Sequence, residues 1–161
     1  MKQRKPLSPD AALSRLQSLC ASSEQCSADI RKKLSAWGVP VREAEDIIRN
    51  LGQTNFLSDA RYARAFAHDK LMFNGWGRFK IIQGLRAKGI DRELIDEALE
   101  AIDPSAYRKR AFAVMRARAS SMEPTHDNRM RLLRFGSGRG FEASLLIKII
   151  KSEALWKRSD K

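Results

Sequence analysis

Apolar residues recur along this chain at the spacing of helix faces. Ile30, Leu34 and Trp37 stand at i, i+4 and i+7, and Ala44, Ile47, Ile48 and Leu51 at i, i+3, i+4 and i+7, so each set forms one stripe on a helix. The pattern returns fifty-one residues later, where Lys33-Leu34-Ser35-Ala36-Trp37-Gly38-Val39 is answered by Gly84-Leu85-Arg86-Ala87-Lys88-Gly89-Ile90, and again more loosely around Arg139-Gly140-Phe141. The register then holds without a gap: Ala44, Ile47 and Ile48 fall opposite Ile95, Ala98 and Leu99, then opposite Leu146, Ile149 and Ile150. A fixed period means a repeated structural unit. Gly38, Gly89 and Gly140 separate two stripes in each copy and are expected to end helices in the left-handed conformation that glycine adopts most easily.

A further helix is predicted from about Leu57 to Met72, with Ala60, Ala63, Phe66 and Ala67 inward. Its counterpart runs from about Pro104 to Ser121 and opens on Asp103-Pro104, an N-cap residue followed by proline at the first helical position. After Gly140 only 21 residues remain, enough for one long helix and not two. The stretch Pro9 to Ser22, with Ala12, Leu16 and Leu19 at helical spacing, supplies the missing element at the other end. Shifting the phase in this way yields three units of three helices, 9–52, 54–102 and 104–158. The expected fold is all-α, about nine helices in tandem three-helix repeats, forming an elongated, curved array. Units of about fifty residues are marginal alone and gain from stacking.

Charge changes the picture. The 161 residues carry a formal net charge of +12, which favours an acidic partner. Half of that excess lies in residues 128–161. From Ser105 to Met122 there are five cations (Arg108, Lys109, Arg110, Arg116, Arg118) and no acid, and from Asn128 to Phe141 four more (Arg129, Arg131, Arg134, Arg139), again with none. Asp91 to Asp103 reverses the sign. A solvated helix face is the ordinary explanation of such runs, but two acid-free basic helices in one predicted bundle add their fields. They could neutralise phosphates in a salt-dependent way. Tyr107, Phe112 and Phe135 are expected in the core rather than as stacking platforms, so any nucleic-acid contact should be to backbone and insensitive to sequence.

Catalytic and metal chemistry finds little support. His68 and His126 stand alone, and neither clusters with Cys20 or Cys26 at zinc-ligand spacing. Both cysteines read as small buried residues, without a disulfide framework. Gly136-Ser137-Gly138-Arg139-Gly140 lacks the preceding strand and the Gly-Lys-Ser/Thr ending of a P-loop, and reads as a flexible helix end. Asp59 and Asp69 are explained by helix capping and surface pairing. No nucleophile has a partner base, so no enzyme and no cofactor is expected. The longest apolar run, Ala111 to Met115, is far short of the roughly 20 residues that span a bilayer. Met1-Lys2-Gln3-Arg4-Lys5-Pro6 is followed by no apolar stretch of signal-peptide length. A reduced, cytoplasmic setting with no membrane partner is expected.

Three segments carry a family resemblance. Phe56-Leu57-Ser58-Asp59-Ala60-Arg61-Tyr62-Ala63-Arg64-Ala65-Phe66, Gly75-Trp76-Gly77-Arg78-Phe79-Lys80-Ile81 with Leu85-Arg86-Ala87-Lys88-Gly89-Ile90, and Arg139-Gly140-Phe141 resemble the signatures of the RecX family of regulatory proteins, over roughly residues 10 to 155. Arg78 stands where the family often has proline, and Gly136-Ser137-Gly138 where bulkier and basic residues are common, which implies a looser last bundle. The resemblance implies a monomeric, non-enzymatic protein that binds the RecA recombinase filament on DNA, lies along its groove, and suppresses recombinase and coprotease activity. It also implies the nine-helix repeat fold. Arg108, Lys109, Arg116, Arg129, Arg131, Arg134 and Arg139 are the residues expected to meet filament and DNA backbone. A stand-alone basic DNA-binding module is the alternative, since three-helix units can place a helix in the major groove. No helix, however, presents Asn, Gln and Arg together for base readout.

Overall fold

A computed structural model describes residues 5–158, and within them the chain forms ten α-helices and no strand. The start Met1-Lys2-Gln3-Arg4, read above for a leader, lies outside the described residues. The helices are α1 (Pro9–Ser22), α2 (Ser27–Ala36), α3 (Val41–Gln53), α4 (Asp59–Asn74), α5 (Arg78–Ala87), α6 (Arg92–Glu100), α7 (Pro104–Ala119), α8 (His126–Gly138), α9 (Ala143–Lys151) and the single turn α10 (Glu153–Trp156). They pack mainly in consecutive threes. The helix that opens each three is capped by its own sequence: the Ser8, Ser58 and Asp103 side chains accept the N–H of Ala11, Arg61 and Ala106, at 3.2, 3.2 and 2.8 Å. Ser58 thus starts α4 later than the apolar stripe suggested, and Leu57 is buried ahead of it.

The repeated glycines all end helices in one way. Gly38, Gly89 and Gly140 have φ of 74°, 69° and 94°. In each copy the residue after the glycine donates its N–H to the carbonyl five positions back: Val39 to Leu34, Ile90 to Leu85 and Phe141 to Gly136, at 3.0, 3.2 and 3.2 Å. This is the Schellman arrangement, in which the residue beyond the glycine also packs against the one whose carbonyl it meets. In the first two copies that pair is Val39 on Leu34 and Ile90 on Leu85, all four buried. The third copy exchanges the sizes: Gly136 replaces the leucine and Phe141 the smaller aliphatic residue.

That exchange corrects two expectations. α8 does end within Gly136–Gly140, but Gly136 is a packed position of its last turn rather than a loose one, and the last bundle is not opened by it. It sits buried inside α8, where a Cβ would meet Leu146 Cδ2 at 2.4 Å and Met115 Sδ at 2.9 Å. The glycine lets α9 press Leu146 against α8, and Leu146 is fully buried there, a contribution of about 1.5–3 kcal/mol. The single long helix expected after Gly140 is also interrupted. Ser152 is extended, and the Trp156 indole N–H folds back to donate to the Ile150 carbonyl at 2.9 Å, which seats Leu155 in the core.

Two cores organise the molecule. One lies within α1–α3 around Leu16, Ile30, Leu34 and Leu51, whereas the other is continuous from α4 to α10 through Leu71, Leu85, Tyr107, Met115, Phe141 and Leu146. The joint inside the larger core is made by backbone. Gly77 N–H donates to the Arg139 carbonyl at 2.8 Å and Phe79 N–H to the Gly140 carbonyl at 3.0 Å. The chains run so close there that a Cβ on Gly77 would stand 2.4 Å from the Gly140 carbonyl carbon. Glu142 closes the same joint, accepting from the Tyr107 hydroxyl at 2.7 Å and from the Arg78 guanidinium at 3.1 Å. The Arg78 N–H donates to the Tyr107 oxygen at 3.0 Å. Proline would fit at this first helical position but has no N–H to give, so arginine here supplies two bonds that proline could not. Burial, reinforced by the Glu142 bond, pushes the Tyr107 hydroxyl well up, and it remains a donor.

The smaller core is tied on by polar contacts. Asp59 caps a neighbour rather than its own helix, accepting the Ser27 N–H at 2.8 Å. Arg61 donates to Glu24 at 2.9 Å and Lys88 to Asp29 at 2.9 Å. Cys26 is fully buried and is the one α1–α3 side residue that joins the larger core's buried set, while Cys20 is half-buried. Burial pushes the Cys26 thiol up.

Candidate partner-binding surface

The seven cations singled out from the sequence do not form one continuous face; the tertiary structure divides them. Three are engaged in holding the fold. Arg116, half-buried on α7, donates to the Ala154 and Lys157 carbonyls at 3.1 and 3.3 Å. Arg129, in the first turn of α8, donates to the Pro124 carbonyl at 3.3 Å and stands 5.6 Å above the Trp156 ring. Arg139 reaches the Asn74 carbonyl and lies 6.0 Å from the Phe135 ring centroid. The Ala154, Lys157 and Asn74 carbonyls lie at the C-terminal ends of α10 and α4, where cations satisfy acceptors that have no partner within the helix, whereas Pro124 lies in the loop before α8.

The remaining four, Arg108, Lys109, Arg131 and Arg134, are exposed. Arg108 and Lys109 sit one turn into α7, just beyond the Asp103 cap and Pro104. On the same face, α9 presents Leu145, Lys148 and Ile149 at i, i+3 and i+4, with Ser152 just beyond its end. Whereas α4 lies directly along α6, the corresponding pair α7 and α9 meets over a shorter stretch. Between them opens a groove of about 420 Å³, floored by Phe112, Leu145 and Ile149 and rimmed by Arg108, Lys109 and Lys148. No carboxylate lines it.

Lys148 and the apolar floor were not singled out in the sequence. The signal was present as a stripe on α9 of two apolar residues and one cation. It could not be joined to Arg108 and Lys109 without the angle between helices. Phe112 and Phe135, expected in the core, are only partly buried, and Arg118 stacks 5.5 Å from the Phe135 centroid. Tyr107 is in the core as expected.

Elsewhere, Lys70 and Lys80 lie 4.7 and 4.8 Å from the Trp76 ring centroid. A second cavity, of about 460 Å³, is lined by Glu24, Asp69, Lys70 and aromatic residues and carries both signs of charge. Among the described residues no three His, Cys, Asp or Glu stand together as metal donors, and no helix is long and apolar enough to cross a membrane.

With this geometry in place, similarity to known proteins is informative. Residues 58–99, which span α4 to α6, match the family model of the RecX second three-helix domain. A regulatory protein RecX of Deinococcus radiodurans is 28% identical over 127 residues, covering 79% of this chain and 60% of the relative. One from Clostridium botulinum is 29% identical over 126 residues, covering 76% and 58%. The chain is similar to RecX proteins over about three-quarters of its length. A crystal structure of regulatory protein RecX superposes with a TM-score of 0.79 at 24% identity, covering 89% of this chain and 73% of that one, and so shares its fold. The chain spans about three-fifths of the length of the two relatives. The Gly75-Trp76-Gly77 and Arg139-Gly140-Phe141 segments that carried the family resemblance are the two sides of the backbone joint between α5 and α8. Gly77 and Gly140 are explained by that close approach, and Gly75 by its left-handed φ of 64° at the end of α4.

Proposed function

We propose that this chain is a RecX-family regulator that binds RecA recombinase filaments on DNA and lowers recombinase and coprotease activity without catalysis of its own, in the cytoplasm and as a monomer. The observation that carries this reading is the set of exposed cations left over once the fold is satisfied. Arg108, Lys109 and Lys148 gather at one groove, and Arg131 and Arg134 project from α8. Units 9–52, 54–102 and 104–158 act together as the repeat scaffold, with the backbone joint at Gly77 and Gly140 holding the basic helices at a set angle to α4–α6. Arg116, Arg129 and Arg139 support that surface from beneath, each through a carbonyl of a neighbouring segment. DNA contacts made by the exposed cations are to phosphates, so affinity falls as salt rises.

The test is DNA-dependent ATP hydrolysis by RecA on single-stranded DNA, titrated with this protein at two salt concentrations. Inhibition at amounts well below one per recombinase subunit supports filament binding. No effect at saturation returns the chain to a stand-alone basic DNA-binding module, which a footprint from the protein alone would support.

A further inference from the structure

We infer that the groove between α7 and α9 is a docking site for a short acidic peptide segment of a partner protein, one that inserts an apolar anchor between Phe112 and Leu145 while its carboxylates meet Arg108, Lys109 and Lys148. The inference rests on the regulatory reading above and names the kind of segment that surface takes.

Three observations converge on this occupant. First, the floor is apolar and open to solvent, at a place where the equivalent helices of the preceding three close on each other directly. Second, the rim cations make no hydrogen bond or ion pair within the described residues, in contrast to Arg110, which donates to the Leu71 carbonyl at 3.1 Å, and to Arg116. A cation without an internal partner keeps its whole capacity for an incoming carboxylate. Third, Glu142, which lines the adjoining cavity with Arg108 and Leu145, is engaged by Tyr107 and Arg78, so its charge is directed away from the rim.

Phosphate alone would need the cations and not the floor. A neutral apolar helix would need the floor and not the cations. An acidic segment with one or two bulky apolar side chains uses both, in the manner of a helix or extended peptide laid in a groove. Burial of the anchor supplies the affinity, and the charges supply orientation and encounter rate.

The test uses the full chain and a fluorescein-labelled twelve-residue peptide rich in Glu and Asp, with a Leu and a Phe four residues apart. A control peptide of the same charge has Ser at both anchor positions. Fluorescence anisotropy is expected to show the anchored peptide binding about tenfold tighter than the control, as burial of one anchor implies. The exposed double reversal Arg108→Glu/Lys148→Glu should weaken the anchored peptide by at least about tenfold. Phe112→Ala should bring it down to the level of the control while leaving the affinity for a single-stranded oligothymidylate unchanged. Circular dichroism of each variant checks that the helices are retained, and the double reversal decides the matter if Phe112→Ala is unfolded.

Equal binding of the two peptides would overturn the inference, as would an anchored-peptide affinity unmoved by the double reversal. RecA ATPase inhibition by the wild-type chain is read separately. A protein that inhibits RecA yet does not select the anchored peptide keeps the regulatory reading and loses this one. A protein that selects the peptide but never inhibits keeps the groove as a docking site and loses the regulatory reading.

Discussion

Gly77→Ala is the most direct probe of how α5 and α8 are held together at their backbone joint. The backbone at Gly77 is extended, with φ of −84° and ψ of 174°, so alanine meets no conformational penalty there. What it meets is the neighbouring chain: the new methyl would stand 2.4 Å from the Gly140 carbonyl carbon and from the Phe141 nitrogen. No side chain can rotate out of the way, because the obstructing atoms are backbone. The two backbone segments must separate by more than 1 Å to reach ordinary contact of about 3.5 Å or more. That costs about 1–3 kcal/mol of overpacking. It also weakens the Gly77 to Arg139 and Phe79 to Gly140 hydrogen bonds, each contributing about 0.5–1.5 kcal/mol. A loss of about 3 kcal/mol is expected, or about 6–12 °C in Tm for a chain of this size. Urea unfolding followed by circular dichroism measures it, with Gly52→Ala as the control. Gly52 lies in α3 with nothing within 4 Å of its would-be Cβ, so alanine there should stabilise by about 0.4–1 kcal/mol. Should Gly77→Ala unfold within about 0.5 kcal/mol of wild type, the close approach would not be what joins α5 to α8.

Other expectations follow from the same structure. Arg131→Glu/Arg134→Glu should leave helicity intact, weaken DNA-supported binding and reduce the salt slope by about two phosphate contacts; adding Arg129→Glu should in addition lower Tm, because that side chain holds Pro124 and Trp156. Tyr107→Phe removes the acceptor of the Arg78 N–H and a donor to Glu142, and a loss of about 1–3 kcal/mol is expected in thermal unfolding. Burial acts to raise the Asp29 carboxyl, but its hydrogen bonds with Lys88 and Cys26 outweigh that and hold it below the ordinary 3.8. The folded state therefore binds this proton less readily than the unfolded chain. The stabilisation is present above about pH 4 and fades as pH falls through the depressed value. Lys88→Met should move the Asp29 midpoint upward in an NMR titration and make the contact between α2 and α5 less stable at neutral pH.

The helices and their repeat were legible because they rest on local rules. Apolar stripes such as Ile30, Leu34 and Trp37 depend only on the 3.6-residue turn, and the caps at Asp103 and Gly38 involve residues a few positions apart. The same locality made Pro9–Ser22 readable to the residue. Where two elements meet, that logic ended. Gly136 looked like a weak helix end because its partner is Leu146, on the far side of a turn, and no stripe records the volume a neighbour will occupy. Asp59 read as a helix cap without showing which helix it serves, and it caps α2.

The basic surface divides along the same line. Net charge, its concentration toward the C-terminal end and the absence of acids from α7 and from residues 128–141 were properties of the sequence alone, because charge adds without regard to geometry. Which cations remain free was decided by tertiary structure. Arg116, Arg129 and Arg139 are indistinguishable from Arg108, Arg131 and Arg134 as letters, but the first three end beside carbonyls or rings of α10, Pro124 and Asn74. Lys148 joined the candidate site only when α9 was placed beside α7. A side chain's covalent chemistry is fixed locally, whereas its free hydrogen-bonding capacity depends on which other segment stands within about 3 Å, and that distance exists only after the helices have packed.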